Sequence, residues 1–263
     1  MRIVLLGAGN VASHLGPALQ HAGHELVQVY SRSEESASEL AARLQVPFTV
    51  HTEDLVSDAD IYLFSVRDAV LESLIREVAA GRDDALFVHT AGSISVDVFR
   101  NLGLAHGGVF YPMQTFSKQR PVDFAQIPVF VEALEESDCQ LLEELARSVS
   151  RRVYRLTSEK RRYLHLSAVF ACNFANHCYA LAAEMVERSG LPFDVLLPLI
   201  DETAAKVHTL EPRAAQTGPA VRYDENVLER QKNLLADRPD MQDVYDRMSR
   251  SIHALATKTP HKK

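Results

Sequence analysis

The feature that most constrains this chain is its first turn. Arg2-Ile3-Val4-Leu5-Leu6 is an aliphatic run of the kind that forms a buried parallel strand. Gly7-Ala8-Gly9-Asn10-Val11-Ala12 follows at once, and from Val11 to Leu19 the apolar residues recur at helical spacing. Strand, Gly-x-Gly-x-x-Ala and helix in that order make a dinucleotide-binding turn. Gly7 permits the tight turn, Gly9 lets the backbone approach a pyrophosphate, and Ala12 keeps helix and strand close. The opening of the helix offers free N–H groups, so Gly7, Ala8, Gly9, Asn10 and Val11 are the expected phosphate contacts.

The second strand, Glu25 to Tyr30, decides which dinucleotide fits. An NAD site places Asp or Glu about 20 residues past the turn to hold the ribose 2′-hydroxyl. Here Ser31-Arg32-Ser33 stands there instead. A carboxylate would repel a 2′-phosphate, whereas a guanidinium flanked by hydroxyls pairs with one. The expected cofactor is NADP(H).

Further along, strands alternate with helices. Asp60–Val66, Ala85–His89 and Gly108–Tyr111 read as buried strands, and Glu34–Leu44 and Val70–Ala80 as amphipathic helices. This is the pattern of a doubly wound α/β sheet, whose ligands sit beyond the strand C-termini. The loops at 7–12, 31–33, 65–68, 89–93 and 112–117 should therefore converge. Ser65, Val66 and Arg67 then join the cofactor site, and Thr90, Ser93, Gln114 and Thr115 offer polar groups to a substrate. After a last strand at Arg152–Leu156 the pattern changes. Ser158 is a candidate N-cap for one long helix to about Arg188, followed by a helix over Phe193–Leu210, a loop over Glu211–Tyr223, and helices over Glu225–Leu235 and Met241–Ala256. The Lys/His-rich end is expected to fray. The expected architecture is a Rossmann domain over 1–157 and an all-helical domain over 158–263, opened by a long interdomain helix.

On that helix, polar residues interrupt an apolar background of Leu164, Leu166, Val169, Phe170, Phe174 and Leu181. At 100° per residue His165, Cys172 and Asn176 fall nearly on one line, with Asn173 close by. His165 and Asn173 are about 12 Å apart along the axis, room for a substrate and a nicotinamide between them. A reductase needs a proton donor beside its hydride donor, and His can give a proton near neutral pH. His165 is the candidate acid, Asn173 the group that orients substrate and nicotinamide, and Asn176 a substrate contact. Arg222, after the rigid Gly218-Pro219 turn, could clamp a carboxylate.

Composition excludes several classes. A net charge of −7 argues against a nucleic-acid surface, and no apolar run reaches the length of a membrane span. The three cysteines lack metal-ligand or disulfide spacing, which fits a reduced cytoplasm and no metal site. Leu196, Leu197, Leu199 and Ile200 beside Val195 offer apolar surface for a homodimer through the C-terminal helical domain.

The Gly-x-Gly-x-x-Ala turn, Ser31-Arg32-Ser33 and the helical second half together resemble the 6-phosphogluconate-dehydrogenase-like reductases. This group includes hydroxyacid dehydrogenases, pyrroline-carboxylate reductase, ketopantoate reductase, prephenate dehydrogenase and deazaflavin-linked NADP reductases. Tyr111-Pro112-Met113-Gln114-Thr115-Phe116, Asn173-Phe174-Ala175-Asn176-His177 and Gly218-Pro219-Ala220-Val221-Arg222 are similar to a bacterial subfamily of NADP oxidoreductases whose substrate is unassigned. Two departures restrict the carry-over. Matching Asn173 to the Asn of the hydroxyacid dehydrogenases puts Val169 where their catalytic Lys stands. Tyr111-Pro112-Met113 resembles the His-Pro-Met loop of prephenate dehydrogenases with Tyr in place of His. The resemblance implies an NADPH-dependent reductase of a small carbonyl or imine substrate. The alternatives are a non-catalytic NADP(H)-binding regulatory protein and an NADP reductase exchanging hydride with a flavin or deazaflavin.

Overall fold

A computed structural model describes residues 1–258. Among them one sheet of eight strands runs in the order β3-β2-β1-β4-β5-β6-β7-β8. The strands are β1 (Arg2–Leu6), β2 (Glu25–Tyr30), β3 (Phe48–Thr49), β4 (Ile61–Phe64), β5 (Leu86–His89), β6 (Gly107–Pro112), β7 (Val129–Ala133) and β8 (Val153–Arg155). All neighbours pair in parallel except β6 and β7, which are antiparallel. The expected doubly wound sheet is present, with that single reversal near its far edge.

β1 shows why both faces are covered. Ile3, Val4, Leu5 and Leu6 are all fully buried. Successive side chains of a strand point to opposite faces. Ile3 and Leu5 pack with residues of helices α1 (Asn10–His21), α2 (Glu34–Leu44) and α5 (Glu136–Val149). Val4 and Leu6 pack with Leu71, Leu74, Ile75 and Val78 of α3 (Asp68–Ala79), and with Phe99 of the short α4 (Asp97–Asn101). A Leu→Ala change at position 5 would cost about 2–5 kcal/mol.

The helical half begins at α6 (Ser158–Ala168), capped not by Ser158 but by Thr157, whose hydroxyl accepts from the Lys160 N–H. Ser158 lies one residue inside and is buried, its hydroxyl donating to Glu132 and accepting from the Val96 N–H. α6 passes into a π-helical stretch, Val169–Phe174, before α7 (Ala175–Arg188). This is a correction to the single α-helix read from the sequence.

Two compact units divide between Phe174 and Ala175. Arg161 explains why α6 stays with the sheet. It is 1% exposed, pairs with Glu132 of β7, and donates to the Ile94 carbonyl and the Ser158 hydroxyl. The charge is tolerated in the interior because a carboxylate faces it and both terminal nitrogens find acceptors, while Nε is left without a partner. The second unit holds α7, α8 (Leu197–Lys206), α9 (Pro212–Ala215), α10 (Pro219–Arg222), α11 (Glu225–Asn233) and α12 (Pro239–Thr257). The stretch read as a loop over Glu211–Tyr223 thus contains two helical turns, each opened by a proline whose φ suits the first helical position. The Lys/His-rich end lies outside the described residues. No helix among the described residues is long and apolar enough to cross a membrane.

Candidate functional site

The β1–α1 turn is built around two glycines with different tasks. Gly7 has φ +115°, and a Cβ there would lie 2.2 Å from the Ser65 carbonyl oxygen. No side chain fits, and the turn is pressed against the end of β4. A Cβ on Gly9 would meet nothing within 4 Å. Gly9 therefore faces open space at the N-terminus of a twelve-residue helix, where backbone N–H groups have no internal partner. That is the cradle a pyrophosphate fills.

Gly7, Ala8, Gly9, Ser31, Arg32, Ser33, Ser65, Val66 and Arg67 all line one cleft of about 360 Å³. The predicted cofactor contacts are thus brought together from three separate loops, with Asn10 and Val11 beside them in the first turn of α1. Val70 and Leu74 of α3 add an apolar wall. Arg32 forms no ion pair among the described residues and stands at the start of α2. The Ser33 hydroxyl caps α2 by accepting from the Ser36 N–H, and Ser31 accepts from the Ser33 N–H. A free guanidinium, two hydroxyls and a helix N-terminus fit a 2′-phosphate. The donor set fits NADP(H).

A second pocket, of about 550 Å³, opens where β6 ends. Tyr111, Met113, Gln114, Thr115 and Phe116 face Leu164, His165, Ala168, Cys172 and Asn173 across it. Inside it the Tyr111 hydroxyl lies 3.0 Å from His165 Nδ1, with the rings edge to face at 5.9 Å. Burial raises the Tyr111 pKa, and the nearby Arg161 guanidinium opposes the rise. The phenol is therefore protonated at neutral pH, and it donates to Nδ1 or accepts from it according to the imidazole tautomer. In the tautomer in which the phenol donates, Nε2 carries the imidazole proton, on the far side of the ring.

The π stretch gives Asn173 its place. An ideal α-helix would turn Asn173 about 80° away from His165. A π segment absorbs about one extra residue, which turns the following positions back by about 100° and brings Asn173 within a few tens of degrees of His165. Asn173 shares the pocket with His165 as a result, beside Cys172, which α-helical spacing already places near that line.

Two family models match the chain: NADP oxidoreductase, coenzyme F420-dependent, over residues 2–92, and a domain of unknown function, DUF2520, over residues 127–252. A solved structure from Bacteroides fragilis, provisionally assigned as an NADP oxidoreductase, is 53% identical, with a TM-score of 0.92 over 96% of this chain and 98% of its own. The chain belongs to this NADP oxidoreductase family. An imine reductase from Myxococcus stipitatus in complex with NADP+ is 18% identical, with a TM-score of 0.69 over 97% of this chain and 93% of its own. The pyrroline carboxylate reductase of Plasmodium falciparum with NADP bound is 10% identical, with a TM-score of 0.62 over 98% of both chains. These two share its fold. No protein of curated function matches it.

Within this family member the remaining candidates fall outside both pockets. Thr90 spends its hydroxyl proton on the Phe64 carbonyl, and Ser93 donates to Asp68 at the start of α3. They tie the β5 loop to β4 and α3 and line neither pocket. Asn176 and Arg222 are exposed residues of the second unit. Gln114 lines the pocket while its amide oxygen accepts from the Thr115 N–H. The loop carrying it is anchored by Phe116, which stacks on Phe124 and on His14 of α1, and by the His14 ring bonded to the Ser117 carbonyl at 3.0 Å.

Residue-by-residue reading of the sequence missed the part played by Tyr111 and Gly92. A Cβ on Gly92 would lie 2.5 Å from His165 Nδ1 and 3.1 Å from a Tyr111 ring carbon. Tyr111 ends a buried strand, where an aromatic reads as core. Nothing in the sequence pairs it with a histidine 54 residues away.

Proposed function

We propose that this protein is an NADPH-dependent reductase of a small carbonyl or imine compound, with His165 as proton donor. The observation that carries the reading is the second pocket: one titratable imidazole, held by Tyr111 and accompanied by Asn173, at the C-terminal edge of the same sheet that carries the cofactor cleft. The strand order supports it. Arg32 follows β2 on one side of β1, and on the other Gly92 lies in the loop after β5 and Tyr111 in β6. The order reverses between β1 and β4, the switch point over which a dinucleotide lies.

Bound NADPH supplies the hydride to the carbon of the double bond. His165 gives its Nε2 proton to the nitrogen or oxygen, and the Asn173 carboxamide orients the substrate and the nicotinamide amide. Met113, Phe116 and Leu164 keep water from the reacting atoms. Gln114 and Thr115 contact the substrate from the β6 loop. No lysine lines the pocket, so protonation rests on the imidazole. Residues 1–157 act as the NADP-binding domain and those from 158 as the substrate and dimerisation domain. The family-model description over residues 2–92 favours a second reading, hydride exchange with a deazaflavin.

The protein is further proposed to be a cytoplasmic homodimer. Three free cysteines support a reducing compartment. Leu191, Phe193, Val195, Leu197 and Leu199 of the second unit are exposed together, a surface that a second copy would bury. Light scattering should give about twice the 29.3 kDa chain mass, and a monomer at micromolar concentration refutes the dimer.

The functional test is NADPH oxidation against cyclic imines, keto acids, aldehydes, flavins and a deazaflavin. His165→Ala should lower kcat by about 10²–10⁴ and leave NADPH affinity unchanged. Activity that survives His165→Ala removes His165 from the chemistry. Tight NADPH binding with no turnover of any class identifies a binding protein instead.

A further inference from the structure

We infer that Gly92, Tyr111 and His165 form one proton-delivery unit, in which Tyr111 fixes the tautomer and aim of His165 and Gly92 keeps the space beside Nδ1 clear. The inference rests on the reductase reading for its chemistry and on three contacts for its geometry. The Tyr111 hydroxyl is 3.0 Å from Nδ1. The two rings meet edge to face. A Cβ at position 92 would fall 2.5 Å from Nδ1, 2.8 Å from the adjoining ring carbon and 3.1 Å from Tyr111 Cε2, against the bond itself. Gly92 has no positive φ, so the missing side chain answers to space and not to backbone conformation.

An unheld imidazole divides its proton between two nitrogens and turns about χ2. With the phenol donating to Nδ1, the neutral ring keeps its proton on Nε2, the nitrogen directed away from Tyr111. When His165 is an imidazolium, the phenol oxygen accepts from Nδ1–H without either ring moving. The same contact therefore serves before and after proton transfer. In the step, the Nε2–H bond breaks, an N–H or O–H bond forms on the substrate, and the hydride from NADPH supplies the electron pair of the new C–H bond. The imidazole first ends neutral with Nδ1–H held on the phenol oxygen; a solvent proton taken up at Nε2 restores the imidazolium, and loss of the Nδ1 proton from that cation returns the resting Nε2–H ring, to which the phenol donates. Tyr111 and Gly92 are positioning residues.

Two variants break the contact by different routes. Tyr111→Phe removes the hydroxyl and keeps the ring. Gly92→Ala keeps both partners and puts a methyl group 2.5 Å from Nδ1, so that the imidazole must shift. Nitrogen NMR of 15N-histidine-labelled full-length protein, with the His165 signals assigned by their loss in His165→Gln, should show one Nε2–H tautomer in the wild type and a mixture in both variants. In NADPH oxidation each variant should lower kcat by about 10–100-fold, shift the pH dependence of kcat and leave KM for NADPH within about twofold. The double variant should be no slower than the slower single, since both lesions remove the same bond. An unchanged tautomer in Tyr111→Phe overturns the pairing. A changed tautomer with kcat unaltered, or fully multiplicative losses in the double variant, overturns its part in proton delivery. The tautomer measurement needs no substrate, so a failure of the reductase reading would appear separately, as absent turnover by the wild type.

Discussion

Arg32 should set the preference for NADP(H) over NAD(H) by an amount that can be worked out from its surroundings. In the cofactor cleft it is the cation placed where the 2′-phosphate must lie, with Ser31 and Ser33 beside it. A hydrogen bond to a charged group contributes about 1.5–3 kcal/mol. The N-terminus of α2 adds about 0.3–1 kcal/mol for an anion at its first turn. Glu34 and Glu35 occupy that same turn and oppose part of it, though both are exposed and screened over about 8 Å at physiological salt. Arg32→Ala removes the first contribution and spares the second. NADPH affinity should therefore fall about 10- to 150-fold, at 1.4 kcal/mol per tenfold, while NADH affinity is unchanged. A residual preference of up to about fivefold should remain from the helix end. Arg32→Asp should abolish even that, because a carboxylate repels the phosphate. Calorimetric titration of both cofactors into wild type and both variants measures each figure. Equal losses for NADPH and NADH would refute the reasoning, since they would mean that Arg32 holds a part common to both molecules.

Three further outcomes follow from the same structure. Gly9→Val should leave the thermal midpoint nearly unchanged and abolish cofactor binding, whereas Gly7→Ala should destabilise the fold itself because its Cβ meets the Ser65 carbonyl; equal thermal midpoints for the two variants would contradict the division of roles. Arg161→Met leaves Glu132 facing a guanidinium that is gone, and breaking such a buried pair costs about 3–5 kcal/mol; because Glu132 keeps its bonds from Ser158, the lower end is expected, a fall of roughly 6–12 °C in calorimetry. The paired change Arg161→Met with Glu132→Leu should recover much of it, and no recovery would exclude charge isolation as the cause. His89 is buried against Phe99 with Nδ1 accepting from the Ala91 N–H, and burial pushes its pKa down to about 3. The unfolded chain takes up a proton near pH 6.5 that the folded chain refuses, so the neutral ring's contribution is complete above pH 6.5 and is lost toward pH 3, at up to about 1.4 kcal/mol per pH unit. His89→Phe should flatten that part of the stability curve, and an unaltered slope would show that other groups set it.

The cofactor half of this protein was legible because its determinants are local. A tight turn between a buried strand and a helix needs particular residues at fixed offsets, and Gly7, Gly9 and Arg32 lie within 26 residues of one another. Parallel strands separated by helices then have few arrangements, so the convergence of 31–33 and 65–67 on the turn followed from topology. The sequence left open which polar residues of the second pocket work together. Asn173 reaches the line of His165 because the helix widens into π turns, a choice made by packing that 100° periodicity does not contain. Thr90 and Ser93 look like substrate contacts, yet their protons go to neighbouring strands and helices. Arg161 reads as one more charge in Ser158-Glu159-Lys160-Arg161-Arg162 until Glu132 and Ile94 are found around it. What the chain determined by itself was a nucleotide-binding sheet with an NADP-type turn, through short-range backbone geometry. Only the tertiary structure decided that Gly92, Tyr111 and His165 meet, because contacts between distant segments are fixed by how whole layers pack and leave no local signature.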